Sequence, residues 1–253
     1  MKNRNLLREI EKTVEFIRMQ LKNAGYENII VGLSGGIDSS VVAALCVEAA
    51  GKENVFGVML PYKSSRPDSL RDAIEVADYL GITYRIIDIS PMVDAYFDHY
   101  EADADFLRKG NRMARERMCV LYDLSAKHKA LVAGTGNFSE LMIGYCTQYG
   151  DNACAFETIG NLYKTEVYEV AGRLGLPECV IAKNPTADLW EGQTDEEEMG
   201  ITYKELDEIL YQMLEMQTSD EELCRQFSEE KITKVKSMIK TSEFKRHLPP
   251  CPQ

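Results

Sequence analysis

A chain of 253 residues with 45% hydrophobic and 28% charged residues can bury a full core and lacks the composition of a disordered protein. Its net charge of −12 excludes a general affinity for RNA or DNA, which rests on neutralising phosphates. No window approaches the ~20 apolar residues that span a bilayer, Met1-Lys2-Asn3-Arg4-Asn5 opens no signal-type apolar block, and the seven cysteines form no C-x-x-C pair, so a soluble, cytosolic protein with reduced thiols is expected.

Leu6, Ile10, Val14, Ile17 and Leu21 recur at helical spacing, and Gly25 stops that helix. Ile29-Ile30-Val31 marks a buried strand over 28–33, followed by a helix over 38–50 that ends at Gly51. A strand over 55–60 precedes a loop from Pro61 to Pro67; Asp68 then caps a helix running to Leu80, and Gly81 introduces a strand over 82–89. This β-α-β-α-β order implies parallel strands with helices on both faces. Residues 103–128 read as one long helix rich in arginine and methionine, and Leu131-Val132-Ala133 as a fourth strand ending at Gly134-Thr135-Gly136. Beyond Tyr145 come a polar loop to about Gly160, a helix over 164–174, a mobile surface loop over 183–200 and an amphipathic helical tail over 203–240. No linker divides the chain. The expected architecture is one α/β domain, a doubly wound, mostly parallel sheet flanked by helices, with a helical C-terminal tail.

Chemistry concentrates first in Ser34-Gly35-Gly36-Ile37-Asp38-Ser39-Ser40. A strand, a glycine pair and a helix that opens on hydroxyls build an anion seat, because backbone N–H groups turn inward and the helix N-terminus adds its positive dipole end. Asp38 is out of place there unless a divalent cation separates it from phosphate. A simple strand–helix turn capped by Ser34 or Asp38 is the plainer alternative. The full S-G-G-x-D-S pattern after a β-run favours the anion seat, and the missing lysine of G-x-x-x-x-G-K-[ST] separates it from the Walker loop. It resembles the PP-loop of N-type ATP pyrophosphatases, which cleave ATP between its α- and β-phosphates.

The second informative segment is Gly134–Glu140, GTGNFSE. Asn137 can cap a helix with Glu140 at its N3 position, a capping-box variant. Beside the first loop, Glu140 also reads as a second carboxylate for magnesium, which takes one or two carboxylates and completes its shell with water and phosphate. Both glycine loops fall on the carboxyl edge of the sheet, where open sheets of this kind bind ligands.

With these loops stand Lys109–Met118 (KGNRMARERM), Tyr149-Gly150-Asp151, Gly160–Thr165 (GNLYKT), Pro185–Glu197 (PTADLWEGQTDEE) and Phe244-Lys245-Arg246 followed by Pro249-Pro250. In this order, from about residue 30 to residue 250, the set resembles the ammonia-dependent NAD synthetases. The resemblance implies adenylation of the nicotinate carboxylate of deamido-NAD by ATP, release of pyrophosphate, and attack by ammonia to give NAD and AMP. It also implies roles by position. Gly32, Leu33, Ser34, Gly35, Gly36, Ile37, Asp38 and Ser39 would hold the ATP phosphates. Thr135, Lys164 and Thr186 would also contact ATP, with Asp38, Glu140 and Lys164 catalytic. Asp38 and Glu140 would bind Mg2+, Arg115 would contact deamido-NAD, and the 183–200 loop would order over the site at a homodimer interface. Read from the residues alone, Lys164 could equally be a solvated helix-start lysine and Arg115 part of a solvated basic face. Asp195–Glu198 reads as a solvated helix start. Gln148, Ala155 and Phe244 stand where many members carry lysine, aspartate and histidine in the acceptor pocket. A related PP-loop amide ligase acting on another carboxylate is the competing reading. With no amidase-sized segment before Gly32, free ammonia is the expected nitrogen donor.

Overall fold

The computed structural model describes residues 4–183, 185, 186 and 194–252. Helix α1 (Leu6–Ala24) starts where the Asn5 side chain accepts from Arg8 N and ends at Gly25, whose φ of 70° is the left-handed cap that glycine takes without strain. Then follow β1 (Asn28–Gly32), α2 (Ile37–Ala50), β2 (Val55–Met59), α3 (Pro67–Leu80) and β3 (Thr83–Ile86). They are succeeded by α4 (Ser90–Tyr100), α5 (Phe106–His128), β4 (Ala130–Gly134), α6 (Phe138–Ile143) and β5 (Phe156–Glu157). Beyond the last strand lie α7 (Lys164–Arg173), α8 (Glu178–Ile181), α9 (Asp195–Met199), α10 (Tyr203–Leu214), α11 (Asp220–Leu223) and α12 (Glu229–Thr241).

The five strands run parallel in the order β3-β2-β1-β4-β5. The winding reverses between β1 and β4, so the crevice beyond their carboxyl ends is the topological switch point where such sheets bind ligands. The two glycine loops leave from these two strands. Ile29, Ile30 and Val31 are fully buried, as a central parallel strand requires. Alternation sends Ile29 and Val31 into a core with α1, α2, α3 and α7, while Ile30 packs into a second core with α4 and α5. Each such side chain contributes roughly 1.5–3 kcal/mol by leaving water. A third cluster joins Ile143 of α6 to Leu206, Ile209 and Leu210 of α10 and Val235 of α12. It packs the helical tail against the elements that carry the site.

Several expectations shift in detail. Helix α3 begins at Pro67 with Arg66 at the N-cap position, and Asp68 pairs with Arg71 at 2.9 Å instead of capping. The helix expected over 103–128 starts at Phe106, because Asp105 accepts from Arg108 N at 2.8 Å and caps it. The third strand is confined to 83–86, and α4 occupies residues that carried no expected element. The polar loop to Gly160 contains β5, joined to β4 through Ala133–Phe156 and Gly134–Glu157. The tail is helical but breaks into α10, α11 and α12. The expected mobile loop over 183–200 falls partly outside the described residues. No helix among them is long and apolar enough to cross a membrane.

Candidate active site

Helix α2 has Gly36 at its N-cap position and no side-chain cap. Ser34 takes only the N–H of Gly36 itself and Asp38 none, so the capping alternative fails for the first turn, and the terminus faces a cavity of about 620 Å³. Ser34 Oγ and Ser39 Oγ lie 3.1 Å apart, Ser39 Oγ and Ser40 Oγ both donate to Gly36 O, and Gly36 N–H donates to Ser34 Oγ at 3.2 Å. Gly35 lies behind this wall with φ 75°, and a Cβ there would collide with the Ser69 carbonyl. Only glycine fits that turn.

Asp38, at the second position of α2, turns across the crevice. Its Oδ1 accepts from Asn137 Nδ2 at 2.9 Å and its Oδ2 pairs with Lys164 Nζ. Lys164 Nζ also reaches Glu140 Oε1 at 3.2 Å. The capping-box reading of GTGNFSE holds, and it leaves Glu140 free to face the site as well. Asn137 Oδ1 caps α6 by accepting from Glu140 N at 3.0 Å, and Glu140 Oε2 accepts from Asn137 N at 3.4 Å, which leaves Oε1 facing the site. A carboxylate has lone pairs enough for both.

Lys164 is 2% exposed, which rules out the solvated helix-start reading. Burial works against its charge, but the Asp38 and Glu140 carboxylates outweigh it and hold the ammonium above the ordinary lysine range. Burial, reinforced by Asp38 and Asp195 and opposed by Lys164, raises Glu140. Asp195 corrects the expectation of a solvated acidic run. It is 4% exposed, accepts from Tyr145 Oη at 3.1 Å and from Tyr203 Oη at 3.2 Å, and lines the cavity. Burial raises its pKa as well. Glu198 accepts from Tyr145 Oη at 2.7 Å, and Tyr203 Oη also donates to Glu140 Oε1 at 3.1 Å. Burial beside these acids pushes both phenols well above their ordinary pKa, so they remain donors.

The same cavity takes in Gly32, Leu33, Ile37, Thr135 and Thr186. Arg115 is not on its wall; its Nε donates to Gln148 O at 3.1 Å on the exposed side of α5, whereas Arg117 lines the cavity and donates to Leu60 O at 3.0 Å. Lys183, Asn137, Tyr203 and Lys245 were missed by sequence reasoning. Lys245 Nζ closes the far wall by donating to Gly144 O and Cys146 O, each at 2.7 Å. Asn137 carried a readable sign as the cap residue ahead of Glu140, and Lys245 lay within the quoted Phe244-Lys245-Arg246 segment.

Asp38 and Glu140 present hard oxygen donors to one shared cationic position, now taken by the Lys164 ammonium. Among the described residues no group of three or more His, Cys, Asp or Glu could hold a metal ion. Two carboxylates without a third protein ligand suit magnesium that arrives with nucleotide phosphates. The donor set fits that ion.

The NAD synthase family model matches residues 9–249. The NH(3)-dependent NAD(+) synthetase of Fusobacterium nucleatum is 49% identical over 246 residues, covering 97% of this chain and 95% of the relative. Among solved structures, the NH3-dependent NAD synthetase from Campylobacter jejuni superimposes with a TM-score of 0.84 at 37% identity, covering 99% of this chain and all of that one. The NMN synthetase from Francisella tularensis gives 0.89 at 32% identity, covering 99% of each chain. Sheet order, the paired glycine loops and these matches agree: the chain belongs to the NAD synthase family of ligases.

Proposed function

We propose that the protein amidates deamido-NAD with ammonia at the expense of ATP, releasing AMP and pyrophosphate. One observation carries the reading. The loops after β1 and β4 meet in a single cavity, with Lys164 between Asp38 and Glu140. The chemical difficulty is bringing a carboxylate to a polyanion, so fixed positive groups supply most of the assistance. The start of α2 and the hydroxyls of Ser34 and Ser39 receive the phosphates, and Thr135 and Thr186 contact ATP from the cavity lining. Asp38 and Glu140 would hold magnesium arriving with ATP, which would supply charge neutralisation at the phosphates. Lys164 then moves its charge from the carboxylate pair to the phosphate chain. The nicotinate oxygen attacks the α-phosphorus, pyrophosphate departs, and ammonia attacks the acyl carbon to expel AMP. Asn137 and Tyr203 keep Asp38 and Glu140 oriented throughout. No covalent enzyme intermediate is needed.

Arg115 guides the acceptor from the open side, where Phe106 and Leu107 are 72% and 60% exposed and suit packing of α5 against a second copy. A single-domain, cytoplasmic homodimer without affinity for nucleic acid or membrane completes the reading, in keeping with the acidic composition. A second acceptor class has an observation in its favour. Gln148, Ala155 and Phe244 leave the acceptor positions uncharged, and the NMN synthetase structure superimposes as closely as any cited above. The test offers purified protein magnesium, ATP and ammonium with either deamido-NAD or nicotinate mononucleotide. NAD and pyrophosphate formed in equal amounts support the proposal. Turnover of the mononucleotide alone supports the second reading, and turnover of neither rejects both.

A further inference from the structure

Lys183 stands just before the described residues Pro185 and Thr186, and its ammonium makes three hydrogen bonds. Nζ donates to Asp72 Oδ2 at 3.0 Å, to Ser69 Oγ at 3.2 Å and to Gly35 O at 3.2 Å. A lysine has three donors, so all are used. Direct contact with phosphate is therefore not the role this geometry describes. The anchor is firm: Asp72 is 3% exposed, and its other oxygen accepts from Arg71 Nη2 at 3.1 Å.

The consequence lies in the peptide joining Gly35 to Gly36. In a planar trans peptide the C=O and N–H point to opposite sides. A Gly35 carbonyl drawn back to Lys183 leaves the Gly36 N–H facing forward, where it meets Ser34 Oγ on the cavity wall. Turned the other way, the same peptide would present a carbonyl oxygen to the phosphates and repel them. Gly35 itself lies off the cavity wall, pressed against the first turn of α3. Loop, helix and lysine thus form one closed contact.

We infer that Lys183 is a positioning residue for the pyrophosphate seat: anchored on Asp72, it holds the Gly35 carbonyl off the cavity and so keeps the Gly36 N–H, with its Ser34 Oγ partner, on the side that receives the leaving group. The inference rests on the proposed function, because it takes the β1 loop as the seat of pyrophosphate. Its test separates the two. Binding of pyrophosphate with magnesium is measured by calorimetry on wild type, Lys183→Met, Lys183→Gln and Lys183→Arg, alongside KM for ATP and for the acceptor. Lys183→Met is expected to weaken pyrophosphate binding and raise the ATP KM by at least tenfold, with the acceptor KM within twofold of wild type. Lys183→Gln, which can still donate to one carbonyl, should fall between, and Lys183→Arg should recover part of the loss. Wild type that binds pyrophosphate, with Lys183→Met and Lys183→Gln binding it equally well, overturns the inference and leaves the proposed function standing. Equal losses for ATP and acceptor that track a fall in Tm overturn it too, since a merely structural role predicts them. Failure of wild type to bind pyrophosphate rejects the seat and both readings with it.

Discussion

The cavity wall and the exposed face beside it are built differently. On the ATP side, Asp38, Asn137, Glu140, Lys164, Asp195 and Tyr203 contact one another within the chain, and the side chains of Lys164, Asp38 and Glu140 are 3%, 19% and 16% exposed. Outside the cavity wall, on the proposed acceptor side, the Arg115 side chain donates to a loop carbonyl, Tyr149 is 59% exposed and Phe244 58%. In the proposed reaction the buried groups already hold one another and only the Lys164 ammonium changes partner, whereas an exposed arginine would select its ligand mainly by contact. If the proposed function holds, the bond-breaking groups are preorganised within one chain, while acceptor recognition is left to more exposed groups. Substitutions on the two sides should therefore fail differently.

The largest effect is expected for Asp38→Asn. It should lower kcat by about a thousandfold with little change in Tm, because the amide still fills the space but loses the charge that faces Lys164 and the metal. Steady-state kinetics and thermal denaturation check this; a variant that unfolds would return Asp38 to a structural role. Lys164→Met should also abolish most activity, and it should cost about 3 kcal/mol of stability by leaving two neighbouring carboxylates without their cation. Adding magnesium should raise the Tm of this variant more than that of wild type, a difference that calorimetry resolves.

On the exposed face beside the cavity, Arg115→Ala should raise the acceptor KM roughly tenfold while leaving the ATP KM and Tm nearly unchanged, as expected for an exposed side chain. Equal changes in both KM values would erase the contrast between the sides.

The smallest effect concerns Glu157, at the end of β5, which accepts from Gly136 N at 3.1 Å and supports the second glycine loop. Burial pushes it up from 4.5 to about 7. With its folded pKa above its unfolded one, its contribution is fully present below about pH 4.5 and is lost as pH rises through 7. Glu157→Gln keeps an acceptor for Gly136 and removes the titration. Its Tm relative to wild type should therefore rise between pH 5 and pH 8, as denaturation across that range would show.

Much of this was legible before the fold was known, for local reasons. Gly25 and Gly81 end helices because a left-handed cap is written in the residue itself. The S-G-G-x-D-S and G-T-G-N loops announce themselves because close ligand approach demands glycine and hydroxyls in a short stretch. What escaped was set by partners far away in sequence. Asp195 looked solvated within an acidic run, but Tyr145, 50 residues earlier, closes over it. Lys183 carries no motif, and its meaning comes from Asp72, 111 residues away. Asp207 reads as one more acid of an amphipathic tail. It is fully buried and accepts from Ser139 Oγ and Thr165 N, which joins the helices carrying Glu140 and Lys164. Strand β5 is two residues long, too short for alternation to appear.

In the proposed reaction the buried side of the site holds pyrophosphate as leaving group while a carboxylate oxygen takes the α-phosphorus. Deamido-NAD labelled with 18O in its nicotinate carboxylate, turned over with ATP, magnesium and ammonium, tests this directly by mass spectrometry of the products. The account predicts one heavy oxygen in AMP and none in pyrophosphate. Heavy oxygen in orthophosphate with formation of ADP would place cleavage at the γ-phosphate and contradict it.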